Sequence, residues 1–115
     1  MVAITLYHNP RCSKSREALA LLEEAGVETS VRRYLDAPLE AAELEALIQR
    51  LEGEVASLVR QNEPEWKALG ADRDDPAQVI DAIVAHPRLL QRPIADDGRR
   101  AIIGRPPEAI RALLD

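Results

Sequence analysis

The chain runs to 115 residues, 46% of them hydrophobic, and carries a formal net charge of −5 at neutral pH. That length holds one domain rather than two, and 30 Leu, Ile and Val residues with 18 Ala close a core without metal or disulfide staples, which excludes disordered and fibrous classes. The acidic balance argues against general nucleic-acid binding, the lone cysteine forbids an internal disulfide and points to the reducing cytoplasm, and the lack of a signal peptide or a long apolar run argues against a membrane.

Val2 to Tyr7 is a short run rich in β-branched and aromatic residues that closes on His8-Asn9-Pro10, which predicts a buried strand and a turn. The helix after it places Ala18, Leu21, Leu22 and Ala25 at i, i+3, i+4 and i+7, and Gly26 stands where a C′ residue stops a helix. Val27 to Tyr34 alternates as a second strand. The opening is therefore a βαβ unit, whose strands are parallel and whose ligands gather at the carboxyl end of the first strand, where His8 to Cys12 lie.

Pro38 is suited to open a helix with the stripe Leu44, Leu47, Ile48 and Leu51, ended by Gly53. Val55 to Arg60, Pro64 to Leu69 before Gly70, and Pro76 to Ala85 follow as further helical pieces. In the last, Asp75 is the N-cap and Val79, Ile80, Ile83 and Val84 face inward. Past Pro87, the runs Pro93 to Ala95 and Arg100 to Gly104 flank Asp96-Asp97-Gly98-Arg99 and predict an antiparallel hairpin. Pro106-Pro107-Glu108 opens a last helix with Ile110, Leu113 and Leu114 on one side. The order βαβ, helices, ββα predicts an α/β class and a thioredoxin-like fold with a mixed four-stranded sheet, as a single domain over 1–115 with a helical insertion at about 38–86.

Cys12 follows a strand and a Pro-containing turn at or beside the first turn of a helix, where unpaired N–H groups and the helix dipole favour an anion. Its neighbours Asn9, Arg11, Ser13, Lys14, Ser15 and Arg16 are polar or cationic, so a reactive thiolate fits this position better than an inert buried thiol. With one thiol, a redox cycle must borrow a second from outside, because Ser15 stands where a C-x-x-C oxidoreductase keeps its resolving cysteine. That serine can still donate a hydrogen bond to the thiolate. A C-x5-R phosphate cradle fits badly, since Arg16 comes after only three residues.

The string Tyr7-His8-Asn9-Pro10-Arg11-Cys12-Ser13-Lys14-Ser15-Arg16 resembles the His-x3-Cys-x3-Arg signature of the glutaredoxin-coupled arsenate reductases. Leu58-Val59-Arg60-Gln61-Asn62, Leu90-Gln91-Arg92-Pro93-Ile94 and Ile103-Gly104-Arg105-Pro106 are similar to three later blocks of that family, so the resemblance spans nearly the whole chain. Ser13-Lys14 in place of Gly-Thr and the shorter C-terminal end are similar to a short branch of the family. The resemblance implies a thioredoxin-like fold, Cys12 as nucleophile, and Arg60, Arg92 and Arg105 as oxyanion-binding residues. It also implies supporting roles for His8, Ser15 and Arg16, and a cis Pro93 facing the cysteine loop. The substrate would be arsenate or a related oxyanion, with glutathione as co-substrate, glutaredoxin as partner and no metal or bound cofactor. The chain would act as a monomer in arsenical resistance.

Guanidinium is the right cation for this task, because it grips an oxyanion bidentately and cannot be deprotonated. Each arginine alone fits a solvated surface position equally well. Arg92 and Arg105 gain from their places beside Pro93 and at the end of a strand, while Arg60 rests on the resemblance. His8 either tunes the thiol, stabilising the thiolate when charged, or is a loop histidine held by backbone. His86, Trp66 and the acidic run Asp72 to Asp75 read as helix cap, packing and solvated loop. Two rival functions remain: a glutathione-dependent thiol reductase acting on mixed disulfides, and a non-enzymatic module like the Spx regulators, which share this fold and contact RNA polymerase.

Overall fold

The computed structural model describes residues 3–114. Strands β1 (Ile4–Tyr7), β2 (Thr29–Arg32), β3 (Ile94–Asp96) and β4 (Ala101–Ile103) are interleaved with helices α1 (Ser13–Glu24), α2 (Ala41–Arg50), α3 (Pro64–Leu69) and α4 (Pro76–Ala85). Short 3-10 segments cover Val55–Leu58, Pro87–Leu89 and Pro107–Leu114. The sheet has four strands in the order β2-β1-β3-β4. β1 and β2 are parallel, while β1 with β3 and β3 with β4 are antiparallel, so the sheet is mixed and the fold class is the one expected. Val2, the first residue of the expected opening strand, lies outside the described residues.

Alternation along the strands divides the core between the two faces of the sheet. Ile4, Leu6 and Ala95 pack on one side with Ala18 and Leu22 of α1 and with Ile110. Tyr7 and Ile94 point the other way, into a larger cluster built from α2, α4 and the segments between β2 and β3. The helix stops follow from local chemistry. Gly70 takes the left-handed conformation at the end of α3, and the Asp75 side chain accepts from the Ala77 N–H to start α4.

Five expectations are corrected. α2 starts at Ala41 rather than Pro38, because the Arg32 guanidinium holds the carbonyls of Ala37 (2.8 Å) and Pro38 (2.9 Å) while Glu40 and Glu43 close a capping box. Ala25 and Val84 are exposed: Ala25 caps α1 beyond its last packed turn, and Val84 sits one 100° step past Ile83, so that Ala82 takes the inward place. The residues after Val55 form a 3-10 turn ending at Leu58 before the chain extends. The last segment is likewise 3-10 rather than α, with Ile110 its fully buried anchor.

The helical region is stitched to the far side of the sheet. Arg50, the last residue of α2, grips Asp96 at the end of β3 through contacts of 2.6, 3.0 and 3.1 Å, and Asp96 is only 5% exposed. The Glu52 N–H adds a 2.8 Å bond to the Ala101 carbonyl, extending the edge at β4. Breaking a buried pair strands a charge, so Asp96→Ala is expected to lower stability by about 3 kcal/mol in urea unfolding. A loss under about 1 kcal/mol would class the contact with surface pairs.

Candidate active site

β1 and β2 run parallel, so the loops leaving them emerge at the same end of the sheet. The first is His8 to Arg11. It turns tightly: the Arg11 N–H donates to Asn9 Oδ1 at 3.0 Å and the Cys12 N–H to the Asn9 carbonyl at 3.0 Å. Arg16 reaches back from α1 and donates to the Pro10 carbonyl at 2.9 Å, which fixes the loop to the helix.

Cys12 is the N-cap of α1. The residue is 9% exposed. Burial pushes the thiol up, but the Ser15 N–H, the hydrogen bonding and charge of the Arg92 guanidinium, and the Lys14 N–H outweigh it and leave the thiol more acidic than an ordinary cysteine. Open N–H groups at a helix start are thus aimed at sulfur instead of at a capping oxygen.

His8 and Ser15 face each other rather than the sulfur. Their Nδ1 and Oγ are 2.7 Å apart, and Ser15 Oγ also accepts the Asn9 N–H at 3.0 Å. The Ser15 hydroxyl, expected to donate to the thiolate, bonds His8 and the Asn9 N–H instead, and it is the Ser15 backbone N–H that acts on the sulfur. His8 is buried, and burial, with Arg33 and Arg16 nearby, lowers its proton affinity below the usual 6.5. It is a neutral brace for the loop rather than a cation beside sulfur.

Arg60 and Arg92 lie 32 residues apart in the chain and meet through the backbone. Val59 pairs with Leu90 in an isolated antiparallel bridge, with the Arg60 N–H bonding the Leu89 carbonyl at 2.8 Å and the Gln91 N–H bonding the Leu58 carbonyl at 2.7 Å. Glu63 then orients Arg60 at 2.6 Å and Arg88 at 2.8 Å. Burial and the neighbouring Arg92 cation push the Arg60 guanidinium below its ordinary value, against the pull of Glu63. Two cations held this close call for an anion between them.

A cleft of about 580 Å³ opens there, lined by the His8–Arg11 loop, Arg60, Arg92, Arg33, Arg88 and Tyr34 among others. Arg105 is not on that lining. It is exposed, donates from Nε to the Arg92 carbonyl at 2.8 Å, and lines a neighbouring depression with Arg60, Gln61 and Gln91. The Arg92–Pro93 peptide is cis, as is Arg105–Pro106. Gly104 lets these strands close up, because a Cβ there would sit 2.8 Å from Pro93 Cγ.

Sequence reasoning passed over three residues here. Arg33 and Arg88 add positive charge to the cleft, and Tyr34 is 1% exposed with a hydroxyl that has no hydrogen-bond partner. The parallel βαβ reading held the missing signal: whatever follows β2 must sit beside whatever follows β1. Among the described residues, no group of three or more His, Cys, Asp or Glu is placed to hold a metal ion. No helix among them is long and apolar enough to cross a membrane.

The model of the ArsC family matches residues 7–113. The chain belongs to the ArsC family. An arsenate reductase of Neisseria meningitidis is 42% identical, the match covering 99% of this chain and all of that one. The uncharacterized protein YfgD of Escherichia coli is 44% identical, over 93% of this chain and 92% of that one. Among solved structures, the arsenate reductase from Vibrio cholerae superposes with a TM-score of 0.86 at 38% identity, covering 96% of this chain and 97% of that one. The ArsC match contains the cysteine loop, the Val59–Leu90 bridge and both cis prolines.

Proposed function

We propose that this chain is an arsenate reductase in which Cys12 attacks arsenic. The observation that carries this reading is an acidified thiol whose stabilising guanidinium, Arg92, also lines a cationic cleft with Arg60. Arsenate near neutral pH is an anion, and its approach to a thiolate is opposed by charge unless fixed cations offset it. Arg60 and Arg92 supply that offset at the cleft. Arg105 supports it from behind by holding the Arg92 backbone, and Arg16 and Pro93 set the two loops. The relatives from Neisseria meningitidis and Vibrio cholerae bear the same assignment in their names.

The thiolate forms an S–As bond and an arsenic-bound oxygen leaves as water after protonation. Glutathione then displaces a second oxygen as water and forms its own S–As bond. A glutaredoxin thiolate takes the glutathione sulfur as a mixed disulfide, and the electron pair of that S–As bond passes to arsenic, reducing As(V) to As(III). Hydrolysis releases arsenite and returns the Cys12 thiolate. The electrons therefore come from glutathione and glutaredoxin, with no bound cofactor, as suits a one-cysteine chain in the cytoplasm. The chain acts as a single thioredoxin-like domain with its helical insertion at about 38–86.

The test is oxidation of NADPH in the presence of glutathione, glutaredoxin and glutathione reductase, started by arsenate. Arsenate-dependent turnover is expected. Turnover of a small mixed disulfide with none of arsenate would replace this reading by the thiol-reductase one.

A further inference from the structure

The Tyr34 ring is fully buried in the larger core cluster, yet its hydroxyl lacks a partner, and so does the buried Nε of Arg92. Both residues line the cleft that Arg60 also faces. Buried polar groups are almost always paired, and a phenylalanine would fill the same core space without stranding an oxygen. Two donors without a partner at one cleft, flanked by two mutually repelling guanidiniums, make a site suited to an anion. Arg92, Arg60 and Cys12 act on the Tyr34 hydroxyl through charge, and the Asn9 side chain lies near enough to act on it weakly without completing a well-formed hydrogen bond. Burial pushes its pKa up against the pull of Arg92 and Arg60, so it presents a proton to a ligand instead of a charge.

We propose that the Tyr34 hydroxyl is a substrate-binding donor that hydrogen-bonds the tetrahedral oxyanion held between Arg60 and Arg92. Arg60 and Arg92 bring charge, while Tyr34 brings a neutral donor on a rigid ring. The donor therefore fixes which oxygens face the protein. This rests on the oxyanion reading above.

The experiment compares wild type with Tyr34→Phe by protection of Cys12 against iodoacetamide, using arsenate and, as an unreactive probe, sulfate. Loss of one donor is expected to raise the half-protecting concentration of each about tenfold or more. In the absence of oxyanion, the pH midpoint of alkylation should stay where it is, and the melting temperature should be unchanged or higher, since an unpaired buried hydroxyl has been removed. Equal half-protecting concentrations in the two proteins would overturn the proposal. A shifted alkylation midpoint would also overturn it, by assigning the hydroxyl to sulfur, and an unprotected wild type would do so by removing the site. A wild type that arsenate protects but that reduces no arsenate sinks the reductase reading alone, and the comparison with Tyr34→Phe still decides the role of the hydroxyl.

Discussion

Replacing Cys12 with serine is expected to bring arsenate-dependent oxidation of NADPH down to the rate measured without the protein. Serine preserves the N-cap position and nearly preserves volume, so the fold should survive, and a hydroxyl is a good N-cap in its own right. What is lost is the ionised nucleophile. A hydroxyl with no adjacent base is not activated at neutral pH, and His8, the nearest imidazole, is committed to Ser15 at 2.7 Å. No second cysteine exists to take over. Melting temperature measured beside the rate separates chemistry from folding. Residual turnover in a folded Cys12→Ser protein would move the nucleophile elsewhere.

Arg92→Ala should produce the next largest effect, visible in two ways. Arg92 acts on the sulfur both as a hydrogen-bond donor and as a charge, and both actions favour the thiolate. Its removal therefore raises the thiol pKa, so the pH midpoint of Cys12 alkylation moves up and the thiolate fraction at pH 7 falls. Loss of a charge-assisted contact to the substrate should also weaken oxyanion use by roughly 2 kcal/mol, or about 30-fold in kcat/KM. The part of the defect that comes from ionisation recovers as pH rises, and the part that comes from binding does not. Arg105→Ala should cost less, since that side chain is exposed and holds the Arg92 carbonyl rather than the cleft. Kinetics for Arg92→Ala equal to wild type would return Arg92 to the solvated surface.

Elements closed by local chemistry were legible in the chain. Pro64 to Leu69 with Gly70, and Pro76 to Ala85 with Asp75, have their start and stop signals within a few residues of one another, and the structure places them at those bounds. The start of α2 was not legible, because Pro38 is a sound N1 residue until Arg32, on another element, takes its carbonyl. Asp96 shows the same gap: beside Asp97-Gly98 it reads as turn chemistry, while its binding partner is Arg50, 46 residues away. At the candidate site, the cysteine loop and its helix were readable from spacing. The convergence of Arg60 with Arg92 was not, since it depends on a bridge between two short extended stretches. Tyr34 was hidden for another reason: it lies beyond the end of β2, and an aromatic ring reads as packing whatever its hydroxyl does.

The bridge at Val59 and Leu90 is made of peptide groups, so it sets the spacing of two cations without asking for particular side chains. Apolar residues at these positions are free to drift during evolution as long as the interior stays filled. Loops between Asn62 and Arg88 can also lengthen or shorten, because closure costs grow only slowly with loop length. A slip of a single residue in the pairing is different. It would rotate Arg60 to the opposite side of its strand and empty half of the cleft's positive wall. Indels inside 58–60 or 89–91 are therefore the lesions this lineage is least able to tolerate, even though none of them touches the sulfur.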